Sequence, residues 1–127
     1  MTAPHLATPT SLSLRPSRAR RQLEDLLSDQ QWPGDVDAVV LAMHEALVNA
    51  QRHAGGAVRL EARVDGSTLV VEVCDRGPGF QLPSPPVPPE PMAERGRGLW
   101  LMCRSSTRCE VRRDGEENCV HLRFDAS

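Results

Sequence analysis

The chain has 127 residues, enough for one domain with a real core and too few for two. Its formal net charge is −2, with both signs interspersed, so no electrostatic footprint for nucleic acid or an anionic membrane is present. All fifteen basic residues are arginine, and without lysine there is no P-loop, no kinase strand lysine and no Schiff base. Phosphate chemistry must therefore rest on backbone amides, arginine or a metal ion.

No apolar run approaches a membrane span, and residues 1–14 lack the apolar stretch of a signal peptide, so a cytoplasmic protein is expected. Cys74, Cys103, Cys109 and Cys119 contain no C-x-x-C pair. Neither a zinc site nor a redox couple is signalled by that spacing, and buried free thiols in a reducing compartment are expected.

Residues 1–9 read as a flexible tail, and residues 10–127 as a single domain. "TSLSLR" alternates like a short strand. Pro16 and Ser17 then open a helix in which Ala19, Leu23, Leu26 and Leu27 recur at helical spacing, with Arg15, Arg18, Arg20 and Arg21 as its polar side. Asp35 is a good N-cap for a second helix, which should end near "AGG" at 54–56. Val58, Leu60, Ala62 and Val64 alternate as a strand, and Asp65-Gly66 signals a hairpin. The returning strand "STLVVEVCD" puts Leu69, Val71, Val73 and Asp75 on one face.

Residues 81–94, "QLPSPPVPPEPMAE", hold six of the eleven prolines and can be neither helix interior nor central strand. "RGRGLWLMCR" returns to a helix, and Asp114-Gly115 joins two final strand candidates, 108–113 and 118–124. Strand, two helices, two strands, loop, helix and two strands describe an α+β domain with helices on one face of a mostly antiparallel sheet.

Three stretches carry chemistry. In "HEALVNAQRHA", Glu45, Asn49 and His53 recur every four residues, at about 0°, 40° and 80° around the helix. Ala38, Ala42 and Ala46 lie between them, while Val36, Val40, Met43 and Leu47 form an opposite apolar side expected to face the sheet. Small residues let another molecule approach, although the stripe taken alone reads more readily as an alanine-rich polar surface. In "DRGPGF", an aspartate facing the helices is followed by Gly77 and Gly79, which permit close backbone approach; alone this is also an ordinary turn. "RGRGLW" sets Gly96 and Gly98 at a helix start, where free amides favour an anion, or is simply an arginine-rich loop. Their order joins them into one nucleotide site.

At these residues the chain resembles the GHKL superfamily of ATP-binding domains, which includes gyrase, heat-shock chaperone, histidine-kinase and mismatch-repair ATPases. "EALVNAQRH" is similar to its N box, "DRGPGF" to its first glycine box and "RGRGLWLM" to its second, and the resemblance spans about residues 11–124. The small size and the wording of the N box most resemble bacterial anti-sigma-factor serine kinases. The resemblance implies a Bergerat-type two-layer sandwich on a mostly antiparallel mixed sheet, with residues 80–95 as an ATP lid. It implies ATP and Mg²⁺ as cofactors, with Asp75 accepting from the adenine amine and Gly77 and Gly79 shaping the pocket. Asn49 would ligate Mg²⁺; Gly96, Gly98 and the neighbouring Arg95, Arg97 and Leu99 would hold the phosphates; and His53 would serve phosphate binding or packing. Glu45 would be the general base toward a serine of a partner protein.

The partners implied are an anti-anti-sigma protein of the STAS type and a sigma factor, with a homodimer left open and neither nucleic acid nor membrane. The other readings are a nucleotide-dependent binding module without phosphoryl transfer and a histidine-kinase catalytic domain. The last is disfavoured because no helix pair with a phosphoacceptor histidine precedes the domain. The family usually has a last-strand threonine near the adenine; here "ENCVHLRF" offers Asn118 or Cys119.

Overall fold

The computed structural model describes residues 8–78 and 101–126. In chain order these form β1 (Thr10–Ser11), α1 (Pro16–Asp29), α2 (Val36–Ala54), β2 (Arg59–Asp65), β3 (Thr68–Asp75), β4 (Arg108–Asp114) and β5 (Glu117–Asp125). Residues 101–105 are also helical. The strands lie in the order β1-β2-β3-β5-β4, and every pairing among the described strands is antiparallel. Both Asp-Gly hairpins occur as expected, with Gly66 and Gly115 at φ +64° and +63°, where an L side chain is strained.

The strand expected over residues 10–15 is shorter. Only Thr10 and Ser11 pair with β2, and Leu12 adds one further backbone bond to Leu60. The chain must leave the sheet there because Pro16 is already the first residue of α1. The second helix follows its local signals closely. The Asp35 carboxylate accepts from the Ala38 N–H at 3.1 Å, and Gly55 ends the helix in the left-handed conformation, φ +73°.

The core lies between α1 and α2 and one face of the sheet. Leu23 and Leu27 of α1 meet Val39, Met43 and Leu47 of α2, and beneath them lie Leu60, Leu69, Val71, Val73, Leu122 and Phe124. Met102, from the helical residues 101–105, is fully buried with them.

Two expectations need correction. The sequence places Ala42 and Ala46 on the ligand-facing stripe, yet they are 0% and 1% exposed and belong to the core. The side of α2 that meets the sheet is centred on Val39, Ala42, Ala46 and Ala50, so small side chains bring helix and sheet together. Of the four residues expected on the sheet-facing side, Met43 and Leu47 are buried in the core, while Val36 and Val40 are only partly buried. The thiols are not all free either. Cys74 and Cys119 occupy facing positions of β3 and β5 and form a disulfide, with Cα atoms 4.1 Å apart. Cys103 and Cys109 remain thiols. Their mutual interaction holds Cys103 below and pushes Cys109 above the ordinary thiol range.

Trp32 fastens the loop between the helices to the first hairpin, its indole N–H donating to the Ser67 carbonyl at 2.9 Å. Gly34 lies against that ring, where a Cβ would stand 2.2 Å from the nearest ring carbon. The indole is 7% exposed and held by its hydrogen bond, so it has little freedom to retreat. Gly34→Ala should therefore cost about 1–3 kcal/mol of stability by overpacking. Denaturant unfolding checks this, and a variant as stable as the wild type would show that the indole yields freely.

Candidate functional site

The inward parity of β3 delivers Asp75 to the end of the strand, where it is buried at 6% exposure. Its Oδ1 accepts from the Gly77 N–H at 2.9 Å, a local turn that aspartate makes readily. Its second oxygen accepts nothing from the described residues. That oxygen leaves the Asp75 carboxylate with acceptor capacity open to a further donor.

Asn118 stands directly opposite Asp75 in the β3–β5 register and is equally buried. Its Nδ2 donates to the Gly77 carbonyl, and its Oδ1 accepts from Arg113 Nη1 at 3.0 Å. Of the two residues offered in place of the family's threonine, Asn118 is therefore the one at this site. Cys119 points to the opposite face, as strand alternation requires.

Gly77 joins this strand end to α2. A Cβ there would lie 2.5 Å from the Ala54 Cβ, 3.0 Å from the Ala54 Cα and 3.1 Å from the His53 carbonyl oxygen. The glycine is required by that contact. Along the same helix Glu45 and Asn49 are half-buried, and neither makes a hydrogen bond or ion pair among the described residues. His53, in the last turn, is exposed. Gly79, Arg95, Gly96, Arg97, Gly98 and Leu99, and the expected lid at 80–95, lie outside the described residues.

A groove of about 630 Å³ lies elsewhere, between α1 and α2, lined by residues including Pro16, Arg20, Val40, Leu41 and His44. None of the site residues above lines it. Size alone does not choose between the two places; Asp75, with one oxygen uncommitted, and Glu45 and Asn49, unpaired among the described residues, lie outside the groove.

Residues 8–124 match the family of histidine kinase-like ATPase domains. The chain belongs to that family. Among solved structures this histidine kinase-like ATPase domain is similar to the Acinetobacter baumannii histidine kinase AdeS, with 12% sequence identity and a TM-score of 0.55. The alignment covers 95% of this chain and 68% of that one, and at such identity it concerns the fold alone. No curated protein matches the sequence. The two-layer α+β arrangement is thus that of a GHKL-type domain.

In this ATPase domain, Gly77 and Asn118 should behave as one unit. Gly77→Ala should cost about 1–3 kcal/mol through overpacking on Ala54. Asn118→Ala should cost a similar amount by stranding the Gly77 carbonyl and Arg113. Because both changes act on the same contact, the double variant should depart from additivity by about 0.5–3 kcal/mol in a denaturant-unfolding cycle. Strict additivity would show that Asn118 does not hold Gly77 in place.

Proposed function

We propose that the protein binds Mg-ATP at Asp75 and works as an anti-sigma-type regulator that phosphorylates a serine of a STAS-type anti-anti-sigma partner and otherwise sequesters a sigma factor. The observation that carries the reading is Asp75, a buried carboxylate with one oxygen committed to Gly77 and the other without a donor among the described residues. An exocyclic amine is the kind of group that completes it, since it donates to the free oxygen without bringing a charge into a buried place. The half-buried and uncommitted Glu45 and Asn49 also fit a charged ligand better than a packing role.

When bound, ATP supplies the transferable phosphoryl group. The protein's part is positioning and proton handling. Asp75 and Gly77 would orient the adenine, and Asn118 keeps Gly77 in register for it. Asn49, a neutral oxygen donor, suits Mg²⁺. Gly79, Gly96 and Gly98 would admit close backbone approach, and Arg95, Arg97 and the Leu99 amide would be the donors to phosphate. Glu45 is the carboxylate able to take the proton of an incoming serine hydroxyl.

The test separates these roles. Asp75→Asn should weaken Mg-ATP binding ten- to hundredfold in calorimetric titration, the loss of about 1.5–3 kcal/mol for one charge-assisted bond. Asn49→Ala should weaken binding in the presence of Mg²⁺ far more than in its absence. Glu45→Ala should keep nucleotide and partner binding while labelled-phosphate transfer to the co-purified partner falls by about 10²–10⁴-fold. If wild-type protein transfers nothing, yet ATP changes partner affinity, the protein is a nucleotide-dependent binding module and Glu45 is not a base.

A further inference from the structure

The sheet has a second face, turned away from the helices. Strand alternation puts Glu72 and Cys74 of β3 on that face, beside Cys119 and His121 of β5. The register pairs Glu72 with His121 and Cys74 with Cys119 directly across the strands. Four residues with metal-ligating side chains thus form a two-by-two block, E-x-C against C-x-H. We propose that in the reduced protein these four residues bind a thiophilic divalent ion of the zinc class.

The geometry is already close. One donor atom each from Glu72, Cys74 and Cys119 lie within 4.8 Å of one another. His121 Nδ1 is 3.9 Å from Glu72 Oε2. That nitrogen is buried and has no hydrogen-bond partner, an orphaned polar atom beside the Glu72 carboxylate; His121 stands just outside the tighter Glu72–Cys74–Cys119 cluster and would have to close on it to complete the set. Two thiolates, an imidazole and a carboxylate are a tetrahedral zinc set. Donors two apart on neighbouring strands can converge on one ion because they share a face, with no knuckle loop required.

The surroundings suit thiolates. Arg59 Nη2 lies 3.6 Å from Cys119 Sγ, and a guanidinium beside sulfur favours its ionised form. Arg59 is itself held by Glu61 and Glu117, so its charge is balanced before a metal arrives. Arg112 is likewise held by Glu110. Binding replaces two S–H bonds by two metal–sulfur bonds and releases two protons to solvent. The disulfide uses the same sulfurs. Its formation takes two electrons and two protons from the thiols, delivered to an oxidant such as a small-molecule disulfide, and a dithiol reverses it. Disulfide and bound metal therefore exclude each other.

This site is independent of the nucleotide reading, and its test needs no ATP. The full chain, reduced with a phosphine and freed of metal, is titrated with Co²⁺ and then Zn²⁺. The expected result is one cobalt per chain, with thiolate-to-cobalt charge-transfer and tetrahedral d–d absorption that zinc abolishes. The Cys103→Ser/Cys109→Ser variant should keep both, because those thiols form a separate pair. His121→Ala and Glu72→Gln should remain folded by circular dichroism and bind more weakly by tenfold or more, at least the about 10–100-fold typical for loss of even an outer-shell partner. Cys74→Ser/Cys119→Ser should lose the charge-transfer band, and the oxidised wild type should bind none. The proposal fails if the reduced wild type shows no such absorption, or if the absorption follows Cys103 and Cys109. It fails equally if His121→Ala binds like the wild type, an outcome that decides the matter even should the double serine variant not fold.

Discussion

The described part of the site depends on one close approach: Gly77 against the last turn of α2. The strand end can reach the helix only because Gly77 has no side chain and Ala54 has a small one. That contact sets where the chain turns after β3, and so where the Gly77 N–H meets Asp75. It also sets where the Gly77 carbonyl meets Asn118. A larger residue at 77 would part strand from helix, and both hydrogen bonds would lose their geometry together. Alanines farther back, at 42, 46 and 50, make the same close packing possible along the body of the helix.

The alternation of side chains along β3 and β5 divides the labour of the sheet. Val73 and Asp75 point to the helices, and Cys74 between them points away. Val120 and Asn118 point inward, while Cys119 and His121 point outward. The inner face carries the apolar core and, at its end, the polar group of Asp75, Gly77 and Asn118. The outer face carries charged ladders, among them Arg59 reaching from β2 across β3 to Glu117 on β5. Asp75 and Asn118 are each one peptide unit from a sulfur, so the two faces share a backbone while differing in chemistry.

Local rules were legible. The N-cap of α2 at Asp35, its left-handed end at Gly55 and both Asp-Gly turns follow from short-range preferences. The inward parity of Asp75 follows from the alternation of Leu69, Val71 and Val73, and the burial of all four bears it out. What was not legible depends on pairing between distant segments. Choosing Asn118 over Cys119, and seeing Cys74 and Cys119 meet, both require β5 to lie beside β3, across a connection of more than thirty residues. Searching for C-x-x-C spacing could not reveal ligands that come together only in the sheet. The alanines of α2 misled for another reason: small residues serve close packing on a sheet and close approach of a ligand equally well, and periodicity cannot separate the two.

The central claim is that an adenine nucleotide binds at the end of β3 and not in the groove between α1 and α2. The most direct measurement is a heteronuclear amide spectrum of the ¹⁵N-labelled protein titrated with Mg-ATP. The account predicts that the Gly77 N–H and the Asn118 side-chain amide move and saturate with nucleotide, while amides of Val40, Leu41 and His44 in the groove stay in place. Movement confined to the groove, or an unchanged Gly77 signal at saturating nucleotide, would contradict it.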